Sequence, residues 1–394
     1  MKKQLNLILP IAIVVLAALA LAGWRTWGSY ESLVGWPAID GGVYAEAVSK
    51  DGLSYLVPPD EIYASGLSED DRPALTDPKM VDIATADTKL ADELEGIAVD
   101  VGSQHRFYPF QILNWHEIVH DEVADKNLLV TYSPLTGSAV VYDATVSNSK
   151  GELYHMQDAG KVYNNGLLMA DTHGTLWNQT TGQAIVGETV GQYLDIYPSA
   201  VMSWAVWKEL HPDGLAMSTD TGFNRDYGRH PYASYETSKG IFFPLNHVMS
   251  KVPPKDLVYS LGPADDEARA TLAFLGRYMP AQSDANEEFG QMKVVAFYDE
   301  DRDTVRVFVR DLDTQVLTFE QKGNVITDKE TNSRWSADGL ALTGKFKGTK
   351  LYELPVTRHY AFAYFAMFPN SAISGEELLP TDEAKPEGID LEIN

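Results

Sequence analysis

The pattern of apolar and polar residues predicts a membrane helix near the N-terminus and a body made mainly of strands. Residues 7–23 form an apolar run behind Lys2 and Lys3, and about 17 apolar residues are just enough to span a bilayer as a helix. Further on, several stretches are rich in β-branched and aromatic residues, which favours strands. These stretches are residues 107–119, 128–132, 140–142 and 305–309.

The same pattern predicts three helices. A short one fits within residues 80–94, and apolar residues recur at helical spacing near residues 200–210 and 357–367. Pro212 and Pro369 follow the last two stretches, and a proline just beyond a periodic segment is typical of a helix end. Both of these helices are rich in aromatic residues.

Glycine and proline positions in the first half recur in the second at an offset of 157 residues. At the same offset Asp171 corresponds to Asp328, and Trp177 corresponds to Trp335 with a shift of one residue. Glycine and proline fix turns and backbone angles, so ordered matches between them predict a repeated architecture. The matched pairs are Gly182 with Gly339, Ala184 with Ala341, Gly187 with Gly344, Gly191 with Gly348, Leu194 with Leu351, Pro198 with Pro355 and Pro212 with Pro369.

We therefore predict a mainly β fold of the α+β type, with two related β-rich units that arose by internal duplication. Each unit ends in an aromatic helix, and one N-terminal membrane helix precedes them. The predicted divisions are residues 1–24 as signal or membrane anchor, 25–95 as an N-terminal extension, 96–215 as the first repeat, 216–258 as a connector, 259–373 as the second repeat and 374–394 as an acidic, disordered tail.

Composition narrows the chemistry. The chain has no cysteine, which excludes disulfides and thiolate metal sites. Its formal net charge is −25 at pH 7, so nucleic acid and anionic lipid surfaces are poor partners for the body. No phosphate loop or dinucleotide-binding fingerprint is present, and no cofactor is expected.

The N-terminal run also indicates where the protein works. Lysines before an apolar run are typical of an export signal whose positive end stays in the cytoplasm. Trp24 and Trp27 follow the run and suit a membrane interface, so we expect a retained anchor with the body in the periplasm or outside the cell. The membrane, through residues 7–23, and an envelope or membrane protein are the expected partners. The alternative is cleavage after residues 20–22 and secretion of a free protein.

His116, Glu117 and His120 spell the H-E-x-x-H pattern, which on a helix holds zinc between two imidazoles with the glutamate as base. The neighbouring residues favour a strand, where side chains four residues apart lie roughly 13 Å apart, too far for one metal. Metal binding by His116 and His120 is therefore the minor interpretation. Histidines elsewhere that could supply a third ligand are His105, His155 and His173.

A hairpin about residues 124–126 would bring His116 and Glu117 opposite residues 133–135. A histidine beside Ser133 is a conceivable nucleophile pair, with Asp121 nearby. Ser133 lacks the Gly-x-Ser-x-Gly elbow, and serines in tight turns are usually structural. The candidate catalytic residues are accordingly His116, Glu117, Asp121 and Ser133.

The connector carries a dense group of basic, acidic and aromatic residues. Its arginines suit an anion and its tyrosines suit the walls of a pocket, whereas the structural interpretation is a loop held by local ion pairs. The candidate ligand-binding residues are Arg225, Asp226, Tyr227, Arg229, Tyr232 and Tyr235.

These segments resemble the uncharacterised family called domain of unknown function 3179, over about residues 73–373. The family pattern usually has Asn at the position of His120 and Cys at the position of Ser133, sometimes with a second Cys at Thr136. The resemblance thus implies that the zinc pattern is accidental and that any thiol chemistry is lost here. The residues that carry it include Tyr108-Pro109, His116-Glu117-Ile118-Val119, Asp121, Val130-Thr131-Tyr132, Pro134-Leu135, Leu176-Trp177, Trp204, Trp207, His211-Pro212, Arg225-Asp226-Tyr227, Pro231-Tyr232 and Tyr235.

The leading hypothesis is a non-catalytic binding or assembly component of the cell envelope or of a membrane complex. The alternative is an enzyme or metal-binding protein with a site around His116, Glu117 and Ser133. Convergence of these side chains in an open cleft would favour the alternative, whereas burial among other protein groups would favour the leading hypothesis.

Overall fold

The computed structural model describes residues 47–67, 71–145, 153, 155–262, 270–312 and 315–379, with the backbone of Ile39–Asp40 and Val43–Tyr44. Among the described residues, strands account for 42% and helices for 12%, which confirms the predicted β-rich class. Across these stretches, every helix is too short or too polar to cross a membrane. The predicted span at residues 7–23 and the end of the acidic tail lie outside the described residues.

The strands of the first half are short and follow one another closely. In chain order they are β1 (Ile39–Asp40), β2 (Val43–Tyr44), β3 (Val48–Lys50), β4 (Leu53–Tyr55), β5 (Tyr63–Ala64), β6 (Leu75–Thr76), β7 (Met80–Asp82), β8 (Glu95–Val101), β9 (Gln104–Pro109), β10 (Ile118–Val123), β11 (Lys126–Ser133), β12 (Ser138–Asp143), β13 (Gln157–Tyr163), β14 (Gly166–Ala170), β15 (Leu176–Asn178), β16 (Ala184–Val186), β17 (Ile196–Tyr197), β18 (Ala200–Ser203) and β19 (Leu215–Met217).

The second half has the same character. Its strands are β20 (Leu257–Leu261), β21 (Leu272–Leu275), β22 (Asn286–Phe289), β23 (Met292–Asp299), β24 (Thr304–Val309), β25 (Asp311–Leu312), β26 (Gln315–Val316), β27 (Phe319–Lys322), β28 (Val325–Asp328), β29 (Arg334–Trp335), β30 (Glu353–Leu354), β31 (Thr357–Tyr360) and β32 (Ala372–Ser374).

The helices in the described part of the chain are few and short. The α-helices are α1 (Ile83–Ala86), α2 (Phe110–His116), α3 (Trp204–Leu210), α4 (Ala233–Glu236) and α5 (Ala361–Met367), and the 3-10 turns are Pro59–Glu61, Met279–Ala281 and Glu376–Leu378. Helix α1 confirms the predicted short helix. It begins because the Asp82 carboxylate accepts a hydrogen bond from the backbone N–H of Thr85, an ordinary N-cap.

A nine-stranded sheet runs through both halves in the order β32-β21-β20-β31-β12-β11-β10-β6, with β17 also paired to β12. The halves join where β12 meets β31, at the pair Ala139 and Arg358. Strand β11 is covered on both faces, since Leu128 and Val130 lie in one core cluster and Leu129 in another. The predicted hairpin is confirmed as β10–β11, in which Val123 pairs with Lys126. His116 and Glu117 directly precede β10, and Ser133 ends β11.

Strand pairings in the second half follow those in the first. The β11–β12 pair corresponds to β23–β24, and β17 pairs with β12 as β30 pairs with β24. Strand β18, which directly precedes α3, pairs with β8. In the same way β31, which directly precedes α5, pairs with β20. Each half then closes with a parallel pair, β19 on β9 and β32 on β21.

The matched residues of the two halves also make matching contacts. The indole N–H of Trp177 donates to Asp171 at 3.0 Å, and that of Trp335 donates to Asp328 at 2.9 Å. A Cβ on Gly182 would lie 2.7 Å from the Tyr142 ring, and one on Gly339 would lie 2.6 Å from the Phe308 ring. These two glycines therefore let a turn approach an aromatic core residue in each half.

Two local predictions need correction. Residues 107–119 are not one strand, because β9 ends at Pro109 and α2 occupies Phe110–His116. Helix α2 is buried on most of its surface, so its sequence lacks the polar face that distinguishes a helix from a buried strand. The helices expected near residues 200–210 and 357–367 form only after a four-residue strand in each case.

The start of the acidic tail is ordered. Gly375 adopts φ 70°, a 3-10 turn covers Glu376–Leu378, and Leu379 is buried in the cluster that contains Val252 and Val258. The predicted disorder therefore does not begin at residue 374, because an apolar side chain anchors the segment that follows β32.

Candidate functional site

Glu117 lies at the junction of a helix and a strand, in an unusual backbone conformation. It follows α2 with φ 59° and ψ −26°, its N–H donates to the carbonyl of Leu113 at 2.8 Å, and its own carbonyl accepts from the N–H of Tyr132 at 2.8 Å. A left-handed conformation costs a residue other than glycine about 1–2 kcal/mol. The two backbone hydrogen bonds hold it there, and they direct the side chain into the protein.

The Glu117 carboxylate belongs to a buried ionic network. Its Oε1 lies 2.6 Å from Nη1 of Arg72 and accepts a 3.1 Å hydrogen bond from the hydroxyl of Tyr232. The Nη2 of Arg72 lies 2.7 Å from Asp158 and donates to Ser65 Oγ at 3.2 Å. Arg72 is 6% exposed and Glu117 is 1% exposed. The network ties together the N-terminal extension, the end of α2, strand β13 and the connector.

One guanidinium thus faces two carboxylates away from water. Burial raises the pKa of Glu117 to about 7, although Arg72 acts in the opposite direction. A raised pKa means that the folded state favours the protonated acid, so the stability gained from this proton is complete below about pH 4.5 and is lost as the pH rises through 7.

We expect Glu117→Gln to stabilise the protein near pH 8 and to change little near pH 4.5. Glutamine keeps an oxygen that can accept from Arg72 and Tyr232 but never carries the charge. A shift from 4.5 to about 7 corresponds to a difference on the order of 3 kcal/mol between the two pH values. Urea denaturation at each pH measures it. The matched control is Glu122→Gln, an exposed residue of the same hairpin, and a Glu117→Gln effect that is the same at both pH values would contradict the expectation.

His116 lies beside this network and is fully buried. Its Nδ1 lies 2.8 Å from the carbonyl of Pro73, so that nitrogen carries the proton. Its Nε2 accepts a 2.6 Å hydrogen bond from the hydroxyl of Tyr227, and the oxygen of that hydroxyl lies 2.5 Å from Thr221 Oγ1. Burial lowers the pKa of His116 to about 4. The imidazole is therefore neutral at pH 7, with both ring nitrogens engaged and neither available to Ser133.

His120 and Asp121 alternate along strand β10 and bind different partners. The Nε2 of His120 donates to the carbonyl of Met156 at 2.8 Å, and burial lowers its pKa. Asp121 accepts a 2.7 Å hydrogen bond from Tyr108, and burial raises its pKa. In the described part of the chain, neither His116 nor His120 belongs to a group of three metal-binding side chains.

Ser133 ends strand β11 in a tight turn. It pairs with Ser138 across that turn, its carbonyl accepts from the N–H of Thr136 at 3.2 Å, and its side chain is 2% exposed. The strand pairing of the hairpin ends at Ile118 with Thr131, and His116 lies before it in helix α2, so the register itself does not pair His116 with Ser133. The structure shows no nucleophile pair between them, since the two ring nitrogens of His116 bind Pro73 and the connector residue Tyr227.

The connector folds its tyrosines inward over this end of the hairpin. Tyr227 and Tyr232 bind His116 and Glu117 as described above, and the hydroxyl of Tyr235 donates to the carbonyl of Leu135 at 2.7 Å. Lys255 packs on the Tyr235 ring, with its Nζ 3.5 Å from the ring centroid. The two groups that the sequence suggested separately, one on the hairpin and one in the connector, are therefore a single buried contact.

The charged residues of the connector lie nearer the surface. Arg225 donates to the carbonyl of Asp71 at 3.0 Å, and Asp226 accepts from the N–H of Gly228 at 3.2 Å. Arg229 is exposed, and its carbonyl accepts from the indole of Trp115 at 3.3 Å. The predicted anion clamp would need its arginines to face a common cavity with the tyrosines, but the tyrosines are engaged beneath them.

Arg72, Asp158 and Thr221 belong to the site, and the sequence did not indicate them. Arg72 stands in a turn before Pro73, 45 residues from Glu117, and Asp158 lies on another sheet. One signal in the sequence could have pointed to Arg72. Glu117 lies in an apolar segment, and a carboxylate buried there requires a buried cation as its partner.

A model of the family described as "Protein of unknown function (DUF3179)" matches residues 69–371 of this chain, which is most of its length. The match spans both halves and includes Arg72, Glu117, Asp158 and Tyr232 of the buried network, whereas Ser65 lies before it. No curated protein and no solved structure matches the chain.

Proposed function

The chain belongs to the DUF3179 family of proteins of unknown function, and from that premise we propose that it is a membrane-anchored, extracytoplasmic protein with a non-catalytic binding or assembly role. Its place is the cell envelope or a membrane complex. The described body then serves as a rigid unit, and the N-terminal run serves as its tether.

The observation that carries this proposal is the burial of the candidate catalytic side chains. His116 and Glu117 are 0% and 1% exposed, and each is bonded to other segments of the protein. A catalytic acid or base needs hydrogen-bond reach to its substrate. Here that reach is used to fasten the connector and the N-terminal extension to the hairpin, which is a structural task.

The tether is proposed from the sequence. Residues 7–23 are apolar, follow Lys2 and Lys3, and precede Trp24 and Trp27, a combination that suits a helix held in a bilayer. An acidic body of this kind is not attracted to anionic lipid. The membrane contact is therefore assigned to the run alone, with secretion after cleavage as the alternative.

The two β-rich units are proposed to descend from an internal duplication. Support comes from the pairing of equivalent strands, from the matching Asp171–Trp177 and Asp328–Trp335 hydrogen bonds, and from glycines at equivalent turns. Chance matches in sequence would not be expected to preserve register, since a one-residue slip turns every side chain to the other face.

An enzyme or metal site around His116, Glu117 and Ser133 is the second candidate, and Glu117 is the residue that favours it. A buried acid with a pKa near 7 in a left-handed backbone conformation is a feature that active sites often contain. Under this candidate, His116→Ala removes a bound metal. Under the leading proposal, that substitution leaves the metal content of the purified protein unchanged.

The full chain is expected in the membrane fraction of an expressing cell, resistant to high salt and alkaline carbonate. Its body is expected to become sensitive to protease only when the extracytoplasmic side is exposed. The reason is that a retained apolar helix is not extracted by conditions that break electrostatic contacts. Immunoblotting of the fractions with a C-terminal tag measures both results.

A variant with Leu16 and Leu19 both changed to aspartate is the matched control. It should leave the membrane fraction, because charged residues at the centre of a span are costly. A wild-type chain found in the cytosol would overturn the proposal. A shortened chain outside the cell would establish secretion in place of anchoring.

A further inference from the structure

A second group of ionisable side chains lies in the first β-rich unit, away from the buried network. Asp100 and His105 face each other across the β8–β9 hairpin. The Nδ1 of His105 lies 2.6 Å from Asp100 Oδ1, and the hydroxyl of Tyr197 donates to the carbonyl of Asp100 at 3.1 Å. The hairpin turn thus fixes one imidazole and one carboxylate side by side.

His211 brings a second imidazole to the same point from helix α3. It is the C-cap residue of that helix, its N–H donates to the carbonyl of Trp207 at 2.9 Å, and its ring lies against the Trp207 ring with centroids 5.5 Å apart. Its Nε2 is 3.9 Å from Asp100 Oδ1, beyond hydrogen-bond distance. Its ring stacks on that of His105 with centroids 4.2 Å apart.

We propose that Asp100, His105 and His211 bind a divalent transition-metal ion of the zinc class. One donor atom from each residue lies within 4.8 Å of the other two, and in the described part of the chain this is the only such group of three. Two imidazoles and one carboxylate form a donor set typical of zinc sites that keep an open position.

The distances and exposures fit such a site. Zinc bonds of about 2.0–2.2 Å place neighbouring donor atoms roughly 3.3 Å apart, between the 2.6 Å and 3.9 Å that separate the histidine nitrogens from Asp100 Oδ1. The side chains of His105, His211 and Asp100 are 29%, 15% and 58% exposed. They can therefore rotate by the small amount required, and water can complete the coordination.

The group is specific to the first unit. The strand registers place Gly262, Thr271 and Phe368 at the equivalent positions of the second unit. None of these residues is a metal ligand of the imidazole or carboxylate type. The shared architecture therefore does not require the three side chains, and their convergence in one unit alone points to a ligand there.

The test is zinc binding to the full-length protein, purified in detergent with an affinity tag free of histidine and stripped with a chelator. One equivalent of Zn²⁺ is expected to bind and to raise the melting temperature. His211→Ala and Asp100→Asn are each expected to weaken binding by about 100-fold or more, since loss of an outer-shell partner alone costs about 10- to 100-fold. Co²⁺ titration gives a spectroscopic readout of nitrogen and oxygen ligation.

His173→Ala, at an exposed histidine elsewhere in the unit, and His116→Ala are the controls and should bind zinc like the wild type. Asp100→Asn keeps the shape of a half-exposed side chain, so it remains informative if His211→Ala fails to fold. Absence of binding at micromolar zinc, or equal binding by Asp100→Asn and wild type, would overturn the proposal. Loss of zinc with His116→Ala would instead contradict the non-catalytic role proposed above.

Discussion

Replacement of Arg72 by methionine is expected to destabilise the protein by about 3–5 kcal/mol at pH 8, the largest effect of any single change considered. Methionine fills much of the same space but leaves Glu117 and Asp158 as two buried carboxylates without their cation. Breaking a buried ion pair by removal of one partner costs about this amount. The midpoint of urea denaturation, followed by tryptophan fluorescence, measures the loss.

The cost of Arg72→Met should shrink as the pH falls toward 5. Without the guanidinium, burial favours protonation of Glu117 even more strongly, and a protonated carboxyl needs no buried cation. Arg229→Met is the control, because the Arg229 side chain is exposed in the same connector and surface substitutions usually stay within about 0.5 kcal/mol. An ionic network at this place would be contradicted if the two variants lost the same free energy of unfolding. It would also be contradicted if the loss for Arg72→Met did not depend on pH.

The expectation separates a structural from a catalytic account of the same residues. If the network fastens the connector, removal of Arg72 should also expose the connector to protease, since Tyr232 binds Glu117 and Tyr227 binds His116. If Glu117 instead acts in catalysis, substitution to glutamine should abolish an activity and leave the fold intact. Limited proteolysis of Arg72→Met beside the wild type tests the structural account, because faster cleavage of the connector is expected only if the network fastens it.

Local sequence patterns were enough to predict much of the fold. The β10–β11 hairpin follows from two apolar stretches around a polar turn, and α3 and α5 follow from aromatic residues at helical spacing before a proline. These elements are determined by residues close in sequence. The offset of 157 residues also anticipated equivalent turns, because glycine and proline mark backbone geometry that side chains elsewhere cannot replace.

The candidate site was harder to predict because its partners are distant in the chain. His116 and Glu117 were identified from a motif, and the motif suggested metal chemistry. Their actual partners, Arg72 and Tyr227, lie 45 and 111 residues away, and no periodic pattern joins such positions. Helix α2 was missed for a related reason, since a helix buried on most sides has the composition of a buried strand.

The connector shows the same limit. A cluster of arginine and tyrosine on a loop is compatible with an anion pocket or with a structural fastening. Which of the two forms depends on the direction in which the tyrosine side chains point. That direction is determined by buried hydrogen-bond acceptors, such as the carbonyl of Leu135, which accepts from the hydroxyl of Tyr235. Composition alone carries no information on this direction.

The second large effect concerns the repeated turns, where Gly344→Ala is expected to cost about 3 kcal/mol. Gly344 has φ +83°, and an added Cβ would lie 2.4 Å from Ser333 Oγ and 2.7 Å from its Cα. Backbone strain in the left-handed region contributes about 1 kcal/mol, and a clash with packed atoms contributes roughly 1–3 kcal/mol more. The Ser333 backbone is held by Asp328, so the neighbour cannot easily move away.

Gly348→Ala is the matched control within the same turn region. Gly348 has φ +87° but no atom within 4 Å of an added Cβ, so it should show only the backbone cost of about 1 kcal/mol. In the first unit, a Cβ added at Gly187 would lie 2.8 Å from Thr175 Oγ1, whereas one added at Gly191 would have no atom within 4 Å. Gly187→Ala is therefore expected to cost more than Gly191→Ala. Denaturation midpoints of all four variants measure both units at once. A matched order in the two units would extend their equivalence from geometry to energetics, whereas a large loss at Gly348 or none at Gly344 would show that the shared glycines reflect only local turn preference.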